Sequence, residues 1–236
     1  MENYTQFLNR INSIKKLNFL IKDDSVITKE SIFSKVNDQN KFRKFYGDTT
    51  VFDLNNNEKE KISDIIIQLY NNASECFCER RIIDTLHMTM HDLTSSNFKS
   101  EIEDEVKNNF VKLKSVLKET PILEQKIKMK TNFITNFEHV NLALVLCPIN
   151  EDEYNKLMNI RSIIDKVKKL KYAFTPHVTL AYFNYNGFQV RELKKLLKIV
   201  EELNKKEDFE VELDTRKLIY QTFSDMNTYK NVYNLV

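Results

Sequence analysis

The segment Pro176–Phe183 reads PHVTLAYF and Thr85–His91 reads TLHMTMH, so histidine, an apolar residue and threonine occur in a row twice, as His87-Met88-Thr89 and His177-Val178-Thr179. Both segments alternate between apolar and polar residues, the pattern of a strand with one face in a core. Residues two apart on a strand share a face, so each histidine projects with its own threonine while Met88 or Val178 turns inward. The two histidines stand 90 positions apart.

The same period organises the rest of the chain. Thr49 to Leu54 (TTVFDL) reads as a strand, and Glu58 to Asn71 as a helix with Ile62, Ile65, Ile66 and Leu69 on one face. After the first motif, Asn97 is placed to cap a helix running to about Leu117 along Ile102, Val106, Phe110 and Leu113. Pro121 ends that helix, and Lys126 to Phe133 alternates as a strand. The order then begins again: strand Val140 to Ile149, helix Glu151 to Leu170, the second motif strand, helix Val190 to Leu203, strand Phe209 to Tyr220. Val51 and Asn141 also differ by 90 positions. The prediction is an α+β fold with two pseudo-twofold β-α-β-α-β lobes, about 47–136 and 137–236, in one domain spanning 47–236. Residues 1–46 read as a helical extension packed on that core, because Phe7, Ile11, Ile14, Leu17 and Ile21 recur at helical spacing from Tyr4 onward.

Composition excludes several chemistries. Lys plus Arg (36) nearly balance Asp plus Glu (34), so a net charge of +2 gives no overall pull toward a polyanion and any phosphate-binding charge must be local. With two glycines in the chain there is no glycine-rich phosphate loop and no dinucleotide fingerprint. Cys76 and Cys78 are one residue apart where zinc ribbons need two, and Cys147 lies in an apolar run, so all three cysteines read as reduced thiols. His87 and His91 have the spacing of a helical metal pair but lack its glutamate, and on a strand they would lie roughly 13 Å apart, so no metal is expected. No apolar stretch reaches the roughly 20 residues of a membrane span, and no apolar block opens the chain, so a soluble, cytoplasmic protein is expected.

The stretches LHMTMHDL and FTPHVTLAYF resemble the paired signatures of the two-histidine (2H) phosphoesterase superfamily, which includes LigT-like RNA-end enzymes; the resemblance covers roughly Gly47 to Val236. It implies a bilobal fold with antiparallel sheets lining a central cleft and helices outside. It further implies cofactor-free, metal-independent hydrolysis or transfer at 2′-linked or 2′,3′-cyclic phosphates of a nucleotide, oligonucleotide or RNA end. A hydrolase of cyclic oligonucleotide immune signals and a non-catalytic nucleotide-binding module are the alternatives. The family's roles fall on His87, Thr89, His177 and Thr179. Two imidazoles supply the base and the acid that in-line attack at a phosphodiester requires, and the threonine hydroxyls donate to nonbridging oxygens. His91 shares the face of Thr89 if the strand continues. Tyr182, Tyr46, Tyr185 and Tyr220 are candidates to stack on a base, and Lys128, Lys130 and Arg216 to contact phosphate. His139 carries no expected role, and a monomer is expected.

Overall fold

The computed structural model describes residues 2–206 and 208–236. Its first helix, α1 (Tyr4–Ser13), opens on a reciprocal cap, in which the Gln6 amide donates to the Asn3 side chain and the Asn3 amide to the Gln6 side chain. Phe7 and Ile11 bury against Phe133, Val145, Cys147 and Tyr154. The expected apolar stripe breaks off there. Two residues with positive φ, Asp23 and Asp24, turn β1 (Leu20–Lys22) back onto β2 (Ser25–Ile27), which leaves Ile21 exposed. The described residues of this segment, 2–46, are therefore helical only in α1 and in a short 3-10 turn at Glu30–Ser34.

The chain continues as β3 (Tyr46–Asp53), α2 (Asn56–Ala73), β4 (His87–Ser96), α3 (Lys99–Glu119), β5 (Lys126–Phe137), β6 (Asn141–Pro148) and α4 (Glu151–Ile164). It ends with β7 (His177–Tyr182), β8 (Phe188–Gln189), α5 (Val190–Lys206), β9 (Glu210–Asp214), β10 (Leu218–Asp225) and β11 (Thr228–Asn234). Helices α2 and α4 each start on an asparagine whose side chain accepts the amide of a glutamate three residues on, Asn55 with Glu58 and Asn150 with Glu153. Each glutamate then accepts a strand amide, Glu58 that of Glu212 in β9 and Glu153 that of Lys128 in β5, so the caps also fix helix to sheet. Asn97 does not cap α3: its side-chain amide donates to the Ser34 and Lys44 carbonyls at 2.6 and 2.8 Å, tying the N-terminal segment to the end of β4.

The large sheet is antiparallel in the order β11-β10-β3-β4-β7-β6-β5-β9; β1, β2 and β8 form a second, small one. Helix α2 packs on α5, and α3 packs on α4 and on β3 and β4. The α+β class, the antiparallel pairing and the outer helices are as expected. The two expected sheets, however, are halves of one, joined where β4 meets β7 through the single register pair Met88↔Val178. That pair closes two inner edges whose backbone groups would otherwise be buried without partners.

The outer strands also depart from the linear lobes 47–136 and 137–236. Strand β5 lies between β6 and β9, in the half that holds the second motif, while β10 lies beside β3. The single strand expected over Phe209 to Tyr220 is two, because a 3-10 turn at Thr215–Lys217, capped by Asp214, sends β9 and β10 to different halves. Strand β11 was not legible: its residues are mostly exposed, so TYKNVYN carries no clear burial alternation.

Candidate active site

The register fixes how the two motifs meet. With Met88 opposite Val178 in an antiparallel pair, His87 faces Thr179 and Thr89 faces His177. Met88 and Val178 are fully buried, so the flanking histidines and threonines lie on the other face. The two histidines are then diagonal neighbours, about 7–8 Å apart, a separation that accommodates a phosphate group.

Each imidazole is oriented by the residue two positions before it. His177 Nδ1 donates to the Thr175 carbonyl at 2.8 Å, and His87 is hydrogen-bonded to the Thr85 carbonyl. In His177 this leaves Nε2 for the cleft. An arginine holds each of those threonines in turn. Arg81 donates to the Thr85 carbonyl (3.0 Å) and hydroxyl (3.3 Å), and Arg10 of α1 donates to the Thr175 hydroxyl (2.9 Å) and the Phe174 carbonyl (2.7 Å). An aromatic ring flanks each histidine, Tyr229 at 5.0 Å from His87 and Phe137 at 4.7 Å from His177. The longer pattern, Thr-x-His-x-Thr, is present at both sites in the sequence, but its first threonine precedes the strand and carries no periodic signal.

Two connected hollows form the cleft. One, a cavity of about 270 Å³, is lined by His87 with Arg81, Phe45, Phe223 and Tyr229. The other holds His177 with Phe137, Tyr172 and Phe174. Lys35, Thr89, Asp92, Thr179 and Tyr182 line both. The Thr89 hydroxyl has no partner among the described residues, and Thr179 accepts only a long 3.4 Å bond from Asn141.

Burial, then the neighbouring Arg81, pushes the His87 pKa down to about 3, and burial lowers that of His177. Both imidazoles are thus neutral at pH 7 in the free protein. An anion between them favours their protonated forms, so binding takes up a proton. Sulfate, a dianion throughout this range, should therefore bind more tightly as pH falls from about 7.5 to about 5.5, in a calorimetric titration; a pH-independent affinity would contradict the geometry. Stability should move the other way. Because the folded pKa lies below the unfolded value of about 6.5, the stability from keeping His87 neutral is full above that value and declines as pH falls below it toward 3.

The two His-x-Thr strands pair at their middle residues at the centre of one sheet, where the motif resemblance implied two sheets lining a cleft. The chain has a fold already seen in a solved structure. Among solved structures, a conserved protein of unknown function from Agrobacterium tumefaciens shares it with TM-score 0.71 and 15% identity, over 89% of this chain and 94% of that one. Escherichia coli LigT complexed with 3′-AMP aligns over 80% of this chain and 96% of its own, at 13% identity and TM-score 0.45. A Thermus thermophilus protein aligns over 79% of this chain and 95% of its own, at 10% identity and TM-score 0.49. At such identities the likeness concerns the fold alone. No protein-family model and no curated protein matches the chain.

The structure brings together His87, Thr89, His177, Thr179 and Tyr182 and sets the other sequence candidates elsewhere. His91 lines the second hollow but is 1% exposed, its ring engaged by the Asp92 carbonyl (2.7 Å) and the Asp165 carboxylate (3.0 Å). The cause is a bulge: Val51 pairs with Thr89 and Thr50 with His91, so Met90 is an extra residue and the alternation that linked Thr89 to His91 is broken. Tyr220 is buried and donates to Asp48 (2.9 Å) and the Val106 carbonyl (3.2 Å), which makes it a core residue. Tyr46 lines a separate groove between α3 and the β10–β11 hairpin, and Tyr185 packs on Phe33. Lys128 and Lys130 lie exposed on β5 opposite Glu212 and Glu210 of β9, and Arg216 is paired with Asp214. Of the cations that line the cleft, Arg161 is on α4 and paired with Asp165, whereas Lys35 and Arg81 sit in irregular segments where no periodicity marks them.

Among the described residues, no group of three or more His, Cys, Asp or Glu is placed to hold a metal ion, and no helix is long and apolar enough to cross a membrane. All three cysteines are free and buried.

Proposed function

We propose that this protein is a phosphodiesterase that works by two-histidine acid-base catalysis on nucleotide, oligonucleotide or RNA-end substrates with 2′-linked or 2′,3′-cyclic phosphates. One observation carries the reading: His87, Thr89, His177 and Thr179 share one face around the Met88–Val178 pair, with the threonines on the floor common to both hollows. The motif resemblance supplies the substrate class.

In the proposed reaction, a phosphate between the imidazoles receives hydrogen bonds from the Thr89 and Thr179 hydroxyls on its nonbridging oxygens. Its charge raises the pKa of the flanking histidines until one carries a proton. The neutral imidazole takes a proton from the attacking water as its oxygen bonds to phosphorus. The protonated one gives its proton to the leaving ribose oxygen as that P–O bond breaks. The threonines then face the charge that grows on the phosphoryl oxygens. The Thr85 and Thr175 carbonyls keep each ring from rotating, which preserves in-line geometry.

These groups need no metal, so turnover in excess EDTA should match turnover without it. The protein would be incubated with a chromatographically resolved panel of 2′,3′-cyclic nucleotides, 2′-5′ and 3′-5′ dinucleotides and cyclic oligonucleotides. The position of the product phosphate reports the direction of cleavage. Loss of activity on chelation, restored by a divalent ion, would overturn the mechanism. Binding without turnover of any member would make the cleft a sensor and overturn the enzymatic reading.

A further inference from the structure

Arg81, buried, and Lys35, half-buried, lack counter-ions among the described residues on the His87 side of the cleft. Arg81 is 4% exposed, and its guanidinium reaches the Thr85 carbonyl and hydroxyl but no carboxylate among the described residues, while its Nε has no partner there. Its counterpart Arg10, which holds Thr175 in the same way, is paired through two hydrogen bonds with Glu2. Burying a guanidinium with neither an ion pair nor a full set of acceptors is costly, so the difference between two otherwise parallel arginines calls for an occupant.

Lys35 lacks an ion pair among the described residues as well. It follows the 3-10 turn at Glu30–Ser34, whose Ile32 and the neighbouring Val36 are fully buried in the cluster that contains Tyr182 and Met226. This anchoring sets the Lys35 ammonium over the rings of Phe45 and Tyr182, at 5.6 and 5.4 Å, in the stretch of cleft that also holds Thr89 and Thr179. Two carboxylates line the same cavity. Asp92 accepts the Tyr172 hydroxyl at 2.8 Å, and Asp48 is held by Tyr220, Asn109 and the Thr94 amide. Neither forms an ion pair with Lys35 or Arg81.

We propose that Lys35 and Arg81 form an anion site on the His87 side of the cleft and that it takes a phosphate group of the substrate, which makes the segment 30–35 part of the active site. Burial lowers the Lys35 pKa, Asp92 and Tyr229 oppose that and Arg81 adds to it; the net shift is downward, so an anion between Lys35 and Arg81 relieves desolvation and their mutual repulsion. The proposal rests on the phosphodiesterase reading for the identity of the ligand, but not for the existence of the site. The rings of Phe45, Phe223 and Tyr229 line the same cavity, so a nucleoside attached to that phosphate has aromatic surface to meet.

Inorganic phosphate is the probe, titrated calorimetrically at pH 7 into the whole chain. Lys35→Gln should weaken its binding by about 10- to 100-fold, as for the loss of a charge-assisted hydrogen bond, without lowering the melting temperature. Arg81→Gln should weaken it by a similar factor; because Arg81 is buried and that variant can fail to fold, Lys35→Gln decides the matter. Lys29→Gln removes an exposed cation that immediately precedes the same segment, paired with Glu138, and should leave the affinity unchanged. Phosphate affinity within about twofold of the parent in folded Lys35→Gln, or an equal loss in Lys29→Gln, would overturn the site. Should phosphate binding depend on Lys35 while no substrate of the panel is turned over, the anion site stands and the enzymatic reading falls.

Discussion

Replacing His87 or His177 by alanine is expected to lower turnover about 10²- to 10⁴-fold while the protein remains folded, because each imidazole moves a proton in the rate-determining step. The fold should tolerate the change. The residue that packs between the strands in each motif is Met88 or Val178, and the histidines lie on the opposite face. The double variant should fall by less than the product of the single losses, since both histidines act on one phosphate. Alanine at Thr89 or Thr179 removes one hydrogen bond from a phosphate that the imidazoles still flank, so the loss should be smaller. The measurements are initial rates on the best substrate of the panel, with thermal melting as the control for folding. Near-parental turnover in a folded histidine variant would refute the mechanism.

The second large effect concerns stability. Phe7 is 1% exposed and packs on Tyr154 with ring centroids 5.0 Å apart, inside the cluster of Phe133, Val145 and Cys147. Phe7→Ala should therefore cost about 3–5 kcal/mol, the range for deleting a buried aromatic. In a chain of 236 residues that corresponds to a fall in melting temperature of roughly 6–20 °C. A fall of under about 3 °C would show α1 to be an appendage. The same helix carries Arg10, which holds Thr175 and through it His177, so the segment before residue 47 supports one histidine with α1 and brings Lys35 to the cleft with its 3-10 turn.

The strands that carry the site were legible because they combine period-two alternation with a repeated tripeptide, and both signals are local. The helices were legible from their apolar stripes, although α1 ends at Ser13, short of Leu17 and Ile21, and α4 at Ile164 and not at Leu170. Asn97 misled because a polar residue before an apolar run resembles a cap, whereas here its amide is used across the fold on Ser34 and Lys44. His91 misled because a bulge is invisible to a pattern that counts in twos. Lys128, Lys130 and Arg216 do not line the cleft, and strand position does not reveal which face looks into a cleft formed by other elements.

By itself the sequence determined the α+β class, the two motif strands and the pairing of each histidine with its own threonine, because these follow from backbone periodicity and residue type. The tertiary structure alone decided that both strands meet at Met88 and Val178 in one sheet, that β5 and β10 lie in halves other than their order suggests, and that Lys35 and Arg81 face the cleft. The reason is physical: edge pairing, burial of Ile32 and Val36, and the position of the Arg81 guanidinium depend on surfaces from distant parts of the chain, and no local pattern encodes the distance between them.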